Sequence, residues 1–326
     1  MRIGFLGPPG TVSHEALGPA DPATELVPQP SLHAAVLAVH EGVVDRALVP
    51  IENSLEGAVN ATLDTLALAT EDVVIVGERL HPVHHSLLAA APVELARIRT
   101  VISHPQASAQ CARFLREQLP GAAVVPADST ADAVRRVGAK ASDATAAALG
   151  TRLAARLYGC VVLREDVEDS AGNETRFVWL ARAEGSGLGF RPPVAGNPTR
   201  RPAESVFRPP VAGNPTRRPA ESVFRPPVAG NPTRRPAGDV TCKTALLFWG
   251  AGSAGPGWLV RCLAEFASRD VNLTRIESRP RRQGIGEYIF FLDLAGSEAD
   301  AAVADAIAGL RSHAEVVRVL GSFPAA

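Results

Sequence analysis

One 17-residue phrase, FRPPVAGNPTRRPAESV, starts at Phe190, repeats unchanged from Phe207, and returns from Phe224 with GDV as its last three residues. Neither a helix nor a sheet ladder can run through it. Four prolines in each copy remove backbone donors and fix φ at short intervals. The period matches no solenoid repeat, and no apolar stripe is present for stacked copies to bury. The tract holds 12 of the 27 prolines, and its nine arginines against Glu204, Glu221 and Asp239 give it a charge of +6. An extended, polyproline-like linker over 184–240 is the expectation, with an acidic partner or an SH3-like groove as the alternative role. The chain is thereby divided into two segments that can fold, 1–183 and 241–326.

In the first segment, short β-branched or apolar runs bounded by turn residues (RIGFLG, ALVPIEN, DVVIVGE, TVISH, AAVVPAD, TRFVWLA) read as strands. Between them SLHAAVLAVHEG, SLEGAVNATLDTLA, QASAQCARFLREQL and TADAVRRV read as helices. Strands alternating with helices predict an α/β protein with a mainly parallel sheet, either one doubly wound domain or two lobes around a cleft. The second segment reads strand, helix, strand, strand, helix, strand, which is the ferredoxin-like βαββαβ order.

The formal net charge of −1 over 326 residues gives no reason to expect nucleic acid or a membrane surface as partner. Cys111, Cys160, Cys242 and Cys262 show no C-x-x-C spacing, so reduced thiols are expected. MRIGFLG enters a strand pattern directly, without an apolar leader core, and no run is long and apolar enough to span a bilayer. A soluble, cytoplasmic protein is the expectation.

Ligands of open α/β sheets bind beyond the carboxyl ends of strands, where helix N-termini present free N–H groups. Four strand-to-helix junctions carry hydroxyls and amides: Thr11 and Ser13; Glu52, Asn53 and Ser54; Ser103, His104 and Gln106, with Gln110 a turn later; and Asp128, Ser129 and Thr130. Each could be a simple helix cap. Together they suggest a site that hydrogen-bonds a polar, anionic small molecule. The histidines of HPVHHSLLA (His81, His84, His85) have neither the spacing nor the extra ligands of a zinc site, and no nucleophile elbow is present. No metal is expected.

A fifth stretch, AGNETRF, ends an acidic loop and opens a strand; alternation puts Thr175 and Phe177 on one face and Arg176 on the other. A hydroxyl beside an aromatic ring, with a guanidinium close by, could donate to a leaving oxygen while the pocket holds a carboxylate. The alternative is an ordinary strand threonine and a surface charge. Three near-copies of the word, AGNPTRR, lie in the repeat tract, where proline and arginine replace Glu174 and Phe177 and no pocket can form.

FLGPPGTVSHEA, VPIENSLEGAV, SHPQASAQC, STADAV and NETRF, in this order, resemble the prephenate dehydratase family, and NLTRIESRP with EYIFFLDL resembles that family's ACT domain. The resemblance implies a two-lobed, periplasmic-binding-protein-like catalytic domain over 1–183 and a regulatory ACT domain over 241–326. It implies conversion of prephenate to phenylpyruvate, water and carbon dioxide on the route to phenylalanine, without cofactor or metal. Thr175 would be the hydrogen-bond or proton donor to the departing hydroxyl. Asn53, Ser103 and Gln110 would bind or orient substrate; Thr11 and Glu52 lie in matching motifs, Phe177 would wall the ring, and Arg176 would be a charge partner. Phenylalanine would be the inhibitory effector, held by Glu277, Ser278, Arg279 and Pro280 with Gly257 and Leu259 of a Pro-Gly-Trp-Leu turn. In the family this turn reads Pro-Gly-Ala-Leu, so Trp258 puts a bulky indole where alanine is expected. An interface-bound effector implies a homodimer or homotetramer. Arogenate dehydratase, or a non-catalytic amino-acid sensor, are the rival readings.

Overall fold

The computed structural model describes residues 1–139, 145–183, 241–250 and 256–326. The expected linker, 184–240, lies outside the described residues. Two mixed sheets make two α/β lobes. The first runs Glu25–Gln29, Arg2–Leu6, Arg46–Asn53, Glu174–Arg182, Val73–Pro82, with Gly57–Ala58 paired onto Arg46–Asn53. The second runs Val161–Arg164, Ser86–Ala89, Ala146–Gly150, Thr100–Ser103, Ala123–Pro126. The chain leaves the first lobe after Pro82 and returns at Glu174. The two crossings are tied by Val83 N–H to Asn173 O (2.8 Å) and Val167 N–H to His85 O (2.9 Å).

The expectation of mainly parallel sheet is corrected. Arg2–Leu6 and Thr100–Ser103 are parallel to both their neighbours, but Glu174–Arg182 is antiparallel to both of its own. It comes back from the second lobe running the other way and inserts between two strands already laid down. Buried along seven consecutive residues, it is covered on both faces. Phe177 and Trp179 join Phe5, Leu17 and Leu48 on one side; Val178 and Leu180 join Val49, Ile51, Leu63 and Ile75 on the other.

Two helices are also shorter than the patterns suggest. SLEGAVNATLDTLA is helical only over Asn60–Leu68, because the Asn53 side chain captures the N–H groups of Leu55 (3.0 Å) and Glu56 (3.1 Å) and holds this stretch in a turn. QASAQCARFLREQL breaks at Cys111 into Pro105–Gln110 and Ala112–Gln118. Asp169 causes the break: its N–H takes Gln110 O (2.7 Å), while its carboxylate caps the second helix at Arg113 N (2.8 Å).

The second segment has the expected βαββαβ order: Cys242–Trp249, Trp258–Ala267, Leu273–Pro280, Tyr288–Ala295, Ala301–Arg311, Val316–Pro324. Its four strands are antiparallel, in the order Leu273–Pro280, Tyr288–Ala295, Cys242–Trp249, Val316–Pro324. Both helices pack on one face, over Leu246, Phe248, Leu292 and Leu294. The opposite face carries Leu247, Ile289, Phe291, Leu320 and Phe323 into the core of the first lobe, against Ile51, Leu63 and Ile75. Burying such side chains stabilises by roughly 1.5–3 kcal/mol each, so together they approach the roughly 5–15 kcal/mol of a whole domain's stability. Gly321 permits the close approach: at φ 134°, a Cβ there would stand 2.2 Å from the Ile75 carbonyl oxygen.

Candidate active site

Between the two lobes lies a cavity of about 560 Å³, a size suited to a small metabolite. All four strand-to-helix junctions reach it. Thr11, Val12 and Ser13 come from the first, Asn53 and Glu56 from the second, His104 and Gln106 from the third, and Asp128, Ser129 and Thr130 from the fourth. The capping expectation holds as well: Thr11 accepts from His14 N (3.3 Å) and Ser129 from Asp132 N (3.0 Å). Among the described residues lining the cavity there is no lysine or arginine. Attraction for an anion therefore rests on helix N-termini and neutral donors.

At one wall, Asn53 and Thr175 are register partners on adjacent antiparallel strands. Asn53 Nδ2 donates to Thr175 Oγ1 (3.0 Å), Asn173 Oδ1 (2.8 Å) and Glu174 O (3.2 Å). The two backbone N–H groups on Asn53 Oδ1 fix which end of the amide is the oxygen. Thr175 Oγ1 accepts from Asn53, so its own proton is left to donate into the cavity. Behind it, Asn173 Nδ2 donates to Gln110 Oε1 (3.1 Å), which also meets His85 Nε2 (2.9 Å), and Gln110 Nε2 donates to Glu56 Oε1 (3.0 Å). A hydroxyl held this way can protonate, or hydrogen-bond, a departing oxygen while Asn53 stabilises the negative charge left on Oγ1.

The other expected residues divide. Gln110 and Phe177 line the cavity with Thr11, Asn53 and Thr175. Thr11 is committed, since its hydroxyl donates to Leu6 O (2.7 Å). Ser103 is fully buried and donates to His104 O (3.1 Å), beneath the lining. Glu52 and Arg176 are corrected: strand alternation turns both to the opposite face. There Arg176 Nε meets Glu78 Oε2 at 2.6 Å and its Nη1 meets Asp293, so its charge is matched by protein carboxylates. Burial works against that charge, but Asp293 and Glu78 more than offset it and hold the guanidinium pKa above its ordinary value. Glu56 and His85 were missed by sequence reasoning, one inside an expected helix and the other inside a histidine run.

A family model described as prephenate dehydratase matches residues 3–185. The chain belongs to the prephenate dehydratase family. Over 99% of its length it is 38% identical to the prephenate dehydratase of Amycolatopsis methanolica, covering 88% of that protein. It is 33% identical, again over 99% of its length, to the chloroplastic arogenate dehydratase 5 of Arabidopsis thaliana, of which it covers 67%. The solved structure of prephenate dehydratase from Arthrobacter aurescens in complex with L-Phe matches 99% of this chain and 90% of its own, at 34% identity and a TM-score of 0.74.

In this member of the prephenate dehydratase family the expected effector residues do not share one face. Ser278 and Pro280 pair with Phe290 and Tyr288 on the helix side of the C-terminal sheet, and Glu277 and Arg279 pair with Phe291 and Ile289 on the side toward the first lobe. Arg279 there forms a two-pronged bond to Asp64 (3.0 and 3.1 Å). Gly257, in the left-handed region at φ 82°, and Leu259 open the first helix of the segment. Trp258 between them packs inward on Phe248 and Phe290, its Nε1 donating to His313 O (2.7 Å). The HPVHH histidines separate: His81 turns to Glu15, His85 to Gln110, and His84 to Glu168 (2.8 Å) and Asp166 (3.4 Å). His84, Asp166 and Glu168 are close enough to share an ion, but none of them lines the cavity.

Proposed function

We propose that this chain converts prephenate to phenylpyruvate, with Thr175 as the hydrogen-bond donor to the departing hydroxyl. The contact from Asn53 to Thr175 at the cavity wall carries this reading. Prephenate is a dianion. Its ring carboxylate leaves as carbon dioxide, the freed electron pair enters the ring, and the ring hydroxyl departs with one added proton as water. Aromatisation supplies the drive, so the protein's task is to place the substrate, hydrogen-bond the leaving oxygen and keep the cavity ordered. Gln110 and Asn173 hold Asn53 and Thr175 in register, and Phe177 walls the ring.

In this reading 1–183 is the catalytic part, 184–240 a linker and 241–326 a regulatory part that takes L-phenylalanine, in a cytoplasmic homodimer or homotetramer. Support for the effector comes from the L-Phe complex of the A. aurescens protein. Among the described residues no helix is long and apolar enough to cross a membrane.

The test is direct. The full-length protein is supplied with prephenate, and phenylpyruvate is followed by its absorbance in alkali, with and without L-phenylalanine. Steady turnover that phenylalanine lowers is the expected result. Binding of prephenate without turnover would defeat the reading.

A further inference from the structure

The rung that holds Thr175 and Asn53 has a neighbour. Arg176 and Glu52 stand directly opposite each other, one residue along each strand, and point away from the cavity toward the C-terminal sheet. On that sheet Arg275 and Asp293 are also register partners. The two rungs interlock. Arg176 Nη1 meets Asp293 Oδ2, Arg275 Nε faces Glu52 Oε2 at 3.5 Å, and Arg176 Nη1 lies 3.7 Å from the same Glu52 oxygen. Glu78 completes the cluster, taking Arg176 Nε (2.6 Å), Lys243 Nζ (2.7 Å) and the Ala326 N–H (2.9 Å). Arg176, Arg275 and Lys243 thus face Glu52, Glu78 and Asp293. The side chains of Glu78, Asp293 and Arg176 are 1%, 3% and 9% exposed, so the pairs of Arg176 with Glu78 and Asp293 are shielded from solvent, whereas Glu52, the partner of the buried Arg275, is half-exposed.

Stability alone does not account for this cluster. A buried ion pair is often no better than apolar side chains of the same volume, and Arg176 Nη2 and Arg275 Nη2 are both buried without an acceptor. What such a pair does supply is register, because a charged side chain cannot slide one residue without losing its partner. Register is at issue here: the pairing of Glu174–Arg182 with Arg46–Asn53 is irregular between Arg176 and Phe177, two residues at most from Thr175. A bulge of this kind re-aims side chains and disrupts the ladder. Pro50, opposite Phe177, has no N–H to give the ladder and so favours the irregularity at this point.

We propose that Asp293 and Arg275 of the C-terminal sheet are positioning residues for the reaction, holding Thr175 through Arg176 and Asn53 through Glu52. The proposal rests on the reading of Thr175 given above, and the experiment separates the two.

In the full-length protein, kcat and KM for prephenate are measured for Asp293→Asn, Arg275→Lys, Thr175→Ala and the Asp293→Asn/Thr175→Ala double variant, with circular dichroism to count folded protein. Asp293→Asn and Arg275→Lys are expected to lower kcat roughly 10- to 100-fold, the scale of a small misplacement of a reacting group, with KM changed by no more than about twofold. In the Thr175→Ala background, Asp293→Asn is expected to cost nothing further, because the group it positions is gone. Unchanged kcat in both single variants overturns the proposal, as does an equal loss with and without Thr175. Failure of both to fold overturns it too, since the cluster would then be a folding requirement only. Full activity in Thr175→Ala would instead defeat the reading of the site.

Discussion

Asn53 donates to the hydroxyl of Thr175 across 3.0 Å, between two strands that meet only because the chain returns from the second lobe. The two residues are 122 positions apart in sequence. Asn53 itself is held by the N–H groups of Leu55 and Glu56 on its oxygen and by Asn173 on its nitrogen. The donor is therefore set before any substrate enters, which is the condition under which one hydrogen bond contributes most to a transition state.

Thr175→Ala removes the group that donates to the leaving hydroxyl. Its kcat should fall by about 10²–10³ while KM moves little, because the interaction is made in the transition state. Thr175→Ser, which keeps the hydroxyl, should retain more activity than Ala. Asn53→Ala should also lower kcat, since it leaves Oγ1 without its donor. Steady-state kinetics on the three folded variants check this; wild-type kcat in Thr175→Ala would refute it.

Phe291 sits on the C-terminal sheet but is buried in the core of the first lobe, 2% exposed, with Ile51, Leu63 and Ile75 in the same cluster. Phe291→Ala should cost about 3–5 kcal/mol and lower the melting of signals from both parts together. For the same reason, a chain ending at 240 should expose that apolar face and aggregate rather than survive as an unregulated enzyme. Two separate transitions in calorimetry, or a well-behaved truncated protein, would contradict a shared core.

Much of this was legible in the sequence. The four junctions could be read because Ser, Thr, Asn and Pro follow apolar runs where helices start, and the βαββαβ order could be read from the change of period. Strand direction could not, since a buried antiparallel strand such as Glu174–Arg182 has the same apolar run as a parallel one. Alternation removed Arg176 from the face of Thr175, yet nothing local marked Asp293, 117 residues on, as its partner. Glu56 was hidden because the Asn53 side chain overrides a helical pattern. The division of Glu277 and Arg279 from Ser278 and Pro280 follows from period two, but only once the segment is known to be an extended strand throughout.

Cys111 and Cys262 are fully buried, and burial pushes their thiols up to about 12 and about 11, with Glu168 and Asp169 adding to the effect at Cys111. Neither supplies a useful thiolate near neutral pH. Cys160 and Cys242 are partly exposed. A thiol reagent at about pH 8 should therefore label Cys160 and Cys242 first and reach all four free cysteines only on unfolding. Peptide mapping after brief alkylation reads this out, and early labelling of Cys111 would contradict it.

Acid should unfold the protein through Glu78 and Asp64. Burial alone would raise the carboxyl of Glu78, but Arg176, Lys243 and the Ala326 N–H more than offset it and leave its pKa below the usual carboxylate range. Asp64 is lowered in the same way: burial opposes, and Arg279 and Arg282 prevail. In the unfolded chain both groups titrate near about 4. A carboxylate whose folded pKa lies below its unfolded one contributes its full stability above the unfolded value and loses it as pH falls through the folded value. The melting temperature should thus show no loss from these groups down to about pH 5 and then fall as the pH drops below about 4. Lys243→Met removes one of the cations that lower Glu78, so the acid limb should move to higher pH. Melts by circular dichroism at a series of pH values decide it. An acid limb that stays in place in Lys243→Met would show that Glu78 does not govern it.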